Sequence, residues 1–212
     1  MKEIHYQNLG YPKTGTTWIY HQLLYHPQVD CQPDPNQKEF NPPNKELYLN
    51  FYKKYNVSFN LRTHTFLKPE TLYYATHLTF IFRNPFHLLN TWYNFLCYAN
   101  QDFKLSVEEF LKYDDYNFQL VTDTQRIFDN WKNYDVKWLF YDDLAADNKI
   151  FMYNLCDYLG LNRYFDPRVK PKFKTKITKE IVIDDEKLIK YINEKISIIE
   201  DHTKRDLTHW KK

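Results

Sequence analysis

The sequence has 212 residues, a length that suits one domain with a sizeable hydrophobic core. Its 29 lysines and arginines nearly balance its 27 aspartates and glutamates, and the net charge of +2 argues against a nucleic-acid partner. Three cysteines, an odd number without metal-ligand spacing, argue against a disulfide framework and indicate reduced thiols (Cys31, Cys97 and Cys156).

No uninterrupted apolar run approaches the roughly 20 residues needed to cross a bilayer, and the N-terminus lacks the apolar core of a signal peptide. We therefore expect a soluble, cytoplasmic protein that does not bind membranes. The sequence shows no internal repeat, low-complexity segment or domain linker. It predicts one domain over residues 1–212.

The first predicted elements are a strand over residues 4–9 and a helix over residues 16–24. Apolar side chains alternate in the first segment and recur at helical spacing in the second. A polar, proline-rich segment over residues 29–45 predicts a long loop, which in a compact domain is often functional. A second strand is predicted over residues 57–61.

The middle of the chain contains the clearest strand pattern. Residues 77–82 (HLTFIF) are rich in β-branched and aromatic side chains and suit a buried central strand. Pro85 is expected in the first turn of a helix that runs to about Ala99. Ser106 and Glu109 form a capping box that predicts the start of another helix.

Helix and strand alternate again in the last part of the chain. We predict helices over residues 116–134 and 184–202, and a strand over residues 136–141 followed by a helix to about Leu159. Gly160 then supplies the residue that commonly ends a helix in the left-handed conformation. Strands that alternate with helices predict an α/β fold, a parallel β-sheet flanked by helices.

Ligands of such sheets bind at the carboxyl ends of the strands. Four polar segments follow predicted strand ends: the loop with Lys13, the tripeptide at residues 62–64, Arg83 and Tyr141. We expect these four segments to contribute to one candidate site.

The loop between the first strand and the first helix carries the most specific pattern, Y-P-K-T-G-T-T-W over residues 11–18. A strand, a tight loop and a helix N-terminus present backbone N–H groups and a helix dipole to an anion. Gly15 lets the backbone approach a ligand, and Thr16 and Thr17 can donate hydroxyl hydrogen bonds or cap the helix. An ATP-binding P-loop needs lysine where this chain has Thr16, whereas the lysine here is Lys13, inside the loop.

This octapeptide resembles the 5′-phosphosulfate loop of sulfotransferases, which use 3′-phosphoadenosine 5′-phosphosulfate (PAPS). The resemblance implies a P-loop NTPase-like sulfotransferase fold, PAPS as the cofactor and 3′-phosphoadenosine 5′-phosphate (PAP) as its product. We predict no metal, because His21 and His26 are not at ligand spacing on a helix. It implies that Lys13 neutralises the charge on the leaving phosphate and that Trp18 stacks on adenine; a core aromatic is the alternative for Trp18. The residues that it assigns to the 5′-phosphate are Thr14, Gly15, Thr16 and Thr17.

Arg83-Asn84-Pro85 is the second specific pattern, and Thr91 lies on the helix that follows it. An arginine at a strand end can bind a phosphate bidentately, and the Thr91 hydroxyl could donate to the same anion. The pattern resembles the 3′-phosphate motif of the same family, with threonine in place of the family's serine. A plain helix start with Arg83 in a surface ion pair is the alternative interpretation.

Two weaker matches extend the resemblance toward the C-terminus. Residues 139–144 (LFYDDL) are similar to a family stretch whose tyrosine, here Tyr141, lies near the adenine. Residues 205–210 (RDLTHW) are similar to a closing motif that the family begins with glycine, where this chain has Lys204. The basic residues between positions 168 and 179 either fold over the 3′-phosphate or form a solvated face.

The general base of the transfer has two candidates. Residues 62–64 resemble the Lys-Thr-His of cytosolic small-molecule sulfotransferases, which makes His64 the base, and histidine has a suitable pKa. Residues 37–40 resemble a Lys-Glu segment of glycan-type enzymes, which makes Glu39 the base. The sequence leaves both open.

The resemblance implies transfer of a sulfuryl group from PAPS to a hydroxyl or amine of a small molecule or a carbohydrate. It identifies neither the acceptor nor the oligomeric state. Two other functions stay open: a P-loop nucleoside or nucleotide kinase, and a non-catalytic relative that binds phosphoadenosine. Thr16 at the lysine position disfavours the kinase.

Overall fold

The structure is a computed structural model that describes residues 5–11, 13–29, 58–63, 76–99, 106–112, 124–169 and 181–212. Strands and helices alternate along these segments, as in other α/β proteins. The strands are β1 (His5–Gly10), β2 (Ser58–Thr63), β3 (His77–Phe82) and β4 (Val136–Phe140). The helices are α1 (Thr16–Leu24), α2 (Pro85–Ala99), α3 (Val107–Lys112), α4 (Thr124–Trp131), α5 (Tyr141–Ala146), α6 (Asn148–Leu159) and α7 (Glu186–Thr203), and a 3-10 helix follows at Thr208–Trp210.

The strands form one parallel sheet in the order β2-β1-β3-β4. In its register Leu9 pairs with Thr63, and Gly10 pairs with Ile81. The carboxyl ends of β2, β1 and β3 therefore lie together at one edge, and the strand order reverses beside β1. Ligands of open α/β sheets bind at such a reversal point. The predicted α/β class with a parallel sheet is confirmed.

The chain divides into two compact units. The first unit consists of Met1–Phe82 and Asn130–Lys172 and contains the sheet. The second unit consists of Arg83–Asp129 and Phe173–Lys212 and contains α2, α3 and α7. The single domain expected over residues 1–212 stays a prediction.

Each unit has its own buried side chains. In the first unit, apolar residues of β1, β3, α1 and α6 form one cluster, with Tyr6, Ile19, Ile81 and Leu155 fully or almost fully buried. In the second unit, the buried face of α7 consists of Ile192, Ile196 and Ile199, which recur at helical spacing. Within the described residues, every helix is too short or too polar to span a bilayer.

Local patterns predicted several elements correctly. β3 covers the predicted residues 77–82, and α2 begins at Pro85 and ends at Ala99 as expected. The capping box before α3 is formed: the Glu109 N–H donates to Ser106 Oγ at 3.1 Å, and the Ser106 N–H donates to Glu109 Oε2 at 2.8 Å. Gly160 ends α6 with a left-handed backbone (φ 68°).

Other boundaries differ from the predictions. β2 continues to Thr63, so Arg62 and Thr63 belong to the strand and do not follow its end. Tyr141 begins α5 instead of ending β4. The predicted continuous helix to Leu159 is two helices because Asp147 has an extended backbone (φ −149°, ψ 96°) and caps α6.

The Asp147 cap has a clear physical basis. Its carboxylate accepts hydrogen bonds from the N–H groups of Lys149 at 3.0 Å and Ile150 at 2.9 Å. These N–H groups in the first turn of α6 have no acceptor within the helix, so the side chain supplies one.

The remaining helix predictions are shifted by a few residues or partly outside the described residues. The helix predicted over residues 116–134 is described from Thr124 and ends at Trp131. The last helix starts at Glu186, after Asp185, whose carboxylate caps it. The loop predicted over residues 29–45 lies outside the described residues, except at Val29.

Candidate functional site

The loop from Tyr11 to Gly15 connects the carboxyl end of β1 to α1. Two of its residues have left-handed backbone, Lys13 with φ 70° and Gly15 with φ 103°. The Thr14 N–H and hydroxyl both donate to the Tyr11 carbonyl, at 3.3 and 2.7 Å. These two hydrogen bonds close the loop, and Thr14 itself is fully buried. A non-glycine residue such as Lys13 in this conformation is strained and is often found at a functional site.

The N-terminus of α1 offers backbone donors at the end of this loop. The N–H groups of Trp18 and Ile19 donate to the Gly15 carbonyl at 3.0 and 3.1 Å. Thr16 and Thr17 are the first two residues of α1, so their N–H groups have no acceptor within the helix. The cap residue is Gly15, which has no side chain, so the suggested capping role of Thr16 and Thr17 is wrong. This helix end fits an anion through its N–H groups and its dipole.

Gly10, the last residue of β1, and Gly15 in the loop are needed because neighbouring atoms lie close to them. A Cβ on Gly10 would lie 2.7 Å from both Ile81 Cγ2 and Thr14 Oγ1. A Cβ on Gly15 would lie 2.8 Å from Leu144 Cδ2 and 3.4 Å from the Tyr141 ring. The structure thus brings Tyr141, the predicted adenine neighbour, next to the loop.

Trp18 lies on α1 as predicted, and its side chain is 6% exposed. Its indole N–H donates to the Val169 carbonyl at 3.2 Å, and its ring lies 6.5 Å from that of Phe165. It belongs to the hydrophobic cluster of the first unit. This packing agrees with the core-aromatic interpretation, and stacking on adenine stays a prediction.

Sequence reasoning missed the attachment of Val169 and Asp166 to α1. Gln22 on α1 is buried, its Nε2 donates to the carbonyls of Asp166 at 3.1 Å and Val169 at 3.4 Å, and its Oε1 accepts from the Asp166 N–H at 3.1 Å. Together with Trp18, it attaches residues 166 and 169, at the beginning of the basic segment, to the helix that follows the loop. In the sequence, the only sign of this attachment is Gln22, a polar residue on the apolar face of α1. A buried polar side chain of this kind needs hydrogen-bond partners.

Arg83 and Asn84 directly precede α2, which begins at Pro85 in the second unit. Asn84 caps the helix: its Oδ1 accepts from the Phe86 N–H at 2.9 Å, and its carbonyl accepts from the Leu88 N–H at 2.8 Å. Arg83 is partly exposed directly before this cap. The helix start that the sequence predicted is therefore present.

Thr91 lies on α2 and is 8% exposed. Its hydroxyl donates to the His87 carbonyl at 2.8 Å, the bond that a threonine often makes inside a helix. The phosphate contact expected of Thr91 therefore requires the hydroxyl to turn away from His87.

Both candidate bases, His64 and Glu39, lie outside the described residues. Thr63, which precedes His64, pairs with Leu9 of β1. Of the basic segment, Arg168 is described: its guanidinium binds the Asp166 carboxylate through Nε at 2.9 Å and Nη2 at 2.7 Å. No group of three metal-ligating side chains occurs in the part of the chain that the structure describes.

No family model matches the sequence, and no curated protein sequence does either. Solved structures with a similar fold include two sulfotransferases. A sulfotransferase from Alicyclobacillus acidocaldarius aligns over 99% of both chains with a TM-score of 0.68 and 16% identity. Mouse sulfotransferase SULT7A1, solved in complex with PAP, aligns with a TM-score of 0.52 and 18% identity, over 94% of this chain and 66% of the mouse chain. The chain therefore has the fold of the sulfotransferases.

Proposed function

We propose that this protein is a PAPS-dependent sulfotransferase. The observation that supports this most directly is the loop of residues 11–15, at the carboxyl end of β1 in a chain with the sulfotransferase fold. In this loop Lys13 and Gly15 have left-handed backbone, and the cap residue before α1 is Gly15, which offers no side-chain cap. An anion is the natural acceptor for the N–H groups of such a helix end.

The first unit supplies the groups that bind the phosphosulfate end of PAPS, from which the sulfuryl group is transferred. PAPS brings the sulfuryl group and a phosphate that leaves with negative charge. The Lys13 ammonium stabilises that charge, and the N–H groups of Gly15, Thr16 and Thr17 bind the 5′-phosphate. Thr14 shapes the loop through its two bonds to the Tyr11 carbonyl, and its own contact with the phosphate stays a prediction.

In the second unit we assign the 3′-phosphate to Arg83 and Thr91. Arg83 has the planar fork that binds phosphate oxygens bidentately, and the Asn84 cap fixes the backbone after it. The Thr91 hydroxyl reaches a new acceptor by rotation to another staggered rotamer. Tyr141 lies near the adenine in this proposal, and Trp18 either stacks on it or supports the loop from the core.

The acceptor, a hydroxyl or amine of a small molecule or carbohydrate, loses a proton to His64 or Glu39. Replacing the true base by alanine should lower the turnover by about 10²- to 10⁴-fold and leave the affinity for PAP unchanged. The other alanine variant should keep its turnover. Full activity in both variants would show that neither residue is the base.

The decisive experiment is calorimetric titration with PAP, with Mg-ATP and AMP as comparators. We expect PAP to bind without a metal and more tightly than AMP, which lacks the 3′-phosphate, and Arg83→Ala to abolish this preference. Lys13→Met should retain PAP binding but lose about 10²- to 10³-fold in sulfuryl transfer. A preference for Mg-ATP, or no binding of PAP, would overturn the proposed function.

A further inference from the structure

We define residues 205–212 as the C-terminal strap. Lys212, at the end of the strap, is attached to α7. The side chain of Asn193 makes two hydrogen bonds with the main chain of Lys212, one as donor and one as acceptor. Its Nδ2 donates to the Lys212 carbonyl at 2.7 Å, and its Oδ1 accepts from the Lys212 N–H at 3.2 Å. A side-chain amide that both donates to and accepts from one residue fixes the position of that residue.

A second attachment lies about two turns further along the same helix. Glu200 accepts a hydrogen bond from the Leu207 N–H at 2.8 Å, and its other oxygen pairs with the Lys211 ammonium. These donors lower the pKa of Glu200, so the carboxylate is ionised at neutral pH. Leu207 itself is fully buried. The strap is therefore held on α7 by two polar side chains and one apolar anchor.

The other side of the strap contacts Asn84 and the first turn of α2. The Trp210 carbonyl accepts a long hydrogen bond, 3.5 Å, from Asn84 Nδ2. The Lys212 ammonium lies 4.8 Å from the centre of the Phe86 ring. Both residues of the Asn84–Trp210 contact are buried, with at most 6% of their surface exposed. Phe86 is also buried, whereas Lys212 is exposed.

Asn84 is thus held at both ends of its amide. Its oxygen caps α2 through the Phe86 N–H, and its nitrogen binds the strap. The planar peptide group between Arg83 and Asn84 keeps their two Cα atoms at a fixed distance, so fixing the Asn84 backbone restricts the position from which the Arg83 side chain extends. Bidentate binding of a phosphate depends on where the guanidinium is placed.

We propose that the C-terminal strap is a positioning element for Arg83, and that Asn84 is the positioning residue through which it acts. The inference rests on the proposed function, in which Arg83 binds the 3′-phosphate. It assigns a role to the closing R-D-L-T-H-W motif, which the transfer chemistry does not use directly.

The test is a double-mutant cycle with two ligands, PAP and AMP, titrated by calorimetry. Asn84→Ser keeps a good helix cap but cannot reach the Trp210 carbonyl. Asn193→Ala releases the end of the strap, and Glu194→Ala, an exposed neighbour on α7, is its control. We expect each of the first two variants to weaken PAP binding about 3- to 10-fold, and AMP binding by less than about twofold. In the double variant the losses should not add, since both act through one contact.

Three results would overturn the inference. Asn193→Ala could bind PAP as Glu194→Ala does, so that the strap has no influence on the 3′-phosphate. The losses could add fully, so that the strap does not act through Asn84. PAP and AMP could weaken equally, which would indicate only general structural support. A wild-type protein that does not prefer PAP over AMP would instead refute the proposed function, and the inference with it.

Discussion

Gly15 is the position where one added methyl group tests the loop most directly. Its φ of 103° is unfavourable for any residue with a side chain, and its Cβ would lie 2.8 Å from Leu144 Cδ2, in the core of the first unit. Left-handed backbone costs about 1–2 kcal/mol and an extra core carbon about 1–3 kcal/mol. Gly15→Ala should therefore lower the free energy of unfolding by about 2–5 kcal/mol, out of roughly 5–15 kcal/mol for a typical domain.

Gly160 provides a matched control. It also has positive φ, 68°, but a Cβ there would meet no atom of the described residues within 4 Å. Gly160→Ala should cost only the backbone term, about 1–2 kcal/mol. Guanidinium unfolding followed by tryptophan fluorescence measures both variants, and calorimetry with PAP should show weakened binding in Gly15→Ala alone. A Gly15→Ala protein as stable as Gly160→Ala would refute the reasoning from the Leu144 contact.

Three further predictions concern stability measured by urea unfolding. His26 is buried, its Nδ1 accepts from the Gln28 N–H at 3.0 Å, and burial lowers its pKa below 6.5. The folded state therefore binds this proton less readily than the unfolded state, so stability should fall as the pH falls below about 6.5, and His26→Gln should lack this contribution. Lys204 ends α7 with φ 57°, so Lys204→Gly should raise the free energy of unfolding by about 1 kcal/mol. Asp147→Ala removes the cap of α6 and should lower it by about 1 kcal/mol.

Each of these predictions has a simple control. If the stability of wild type and of His26→Gln depended on pH in the same way between about 5 and 7, the assignment of a neutral His26 would be contradicted. Lys204→Ala keeps the backbone penalty and should bring no gain, so an equal gain in both variants would exclude the backbone explanation. Asp147→Asn should retain most of the cap, and a loss as large as that of Asp147→Ala would show that the cap is not the cause.

Several features were predictable from the sequence because they depend on neighbouring residues. The residues of β3 carry a buried-strand pattern, and Pro85 directly marks the start of α2. The loop with Lys13 and the parallel α/β class were also predicted, since both follow from motif spacing and from alternating periodicities. Where local signals overlapped, boundaries were wrong: Tyr141 has a strand-like side chain but begins a helix, and Asp147 interrupts an apolar pattern that continues through it.

The sequence by itself thus determined the class of fold, the loop at the carboxyl end of β1 and the turn before α2. Only the tertiary structure decided which distant residues support them: the indole of Trp18 meets the Val169 carbonyl, and Asn84 meets the carbonyl of Trp210. The physical reason is that periodicity, caps and turns are encoded within a few residues. A contact between residues more than a hundred positions apart depends on sheet register and side-chain packing, which no local pattern specifies.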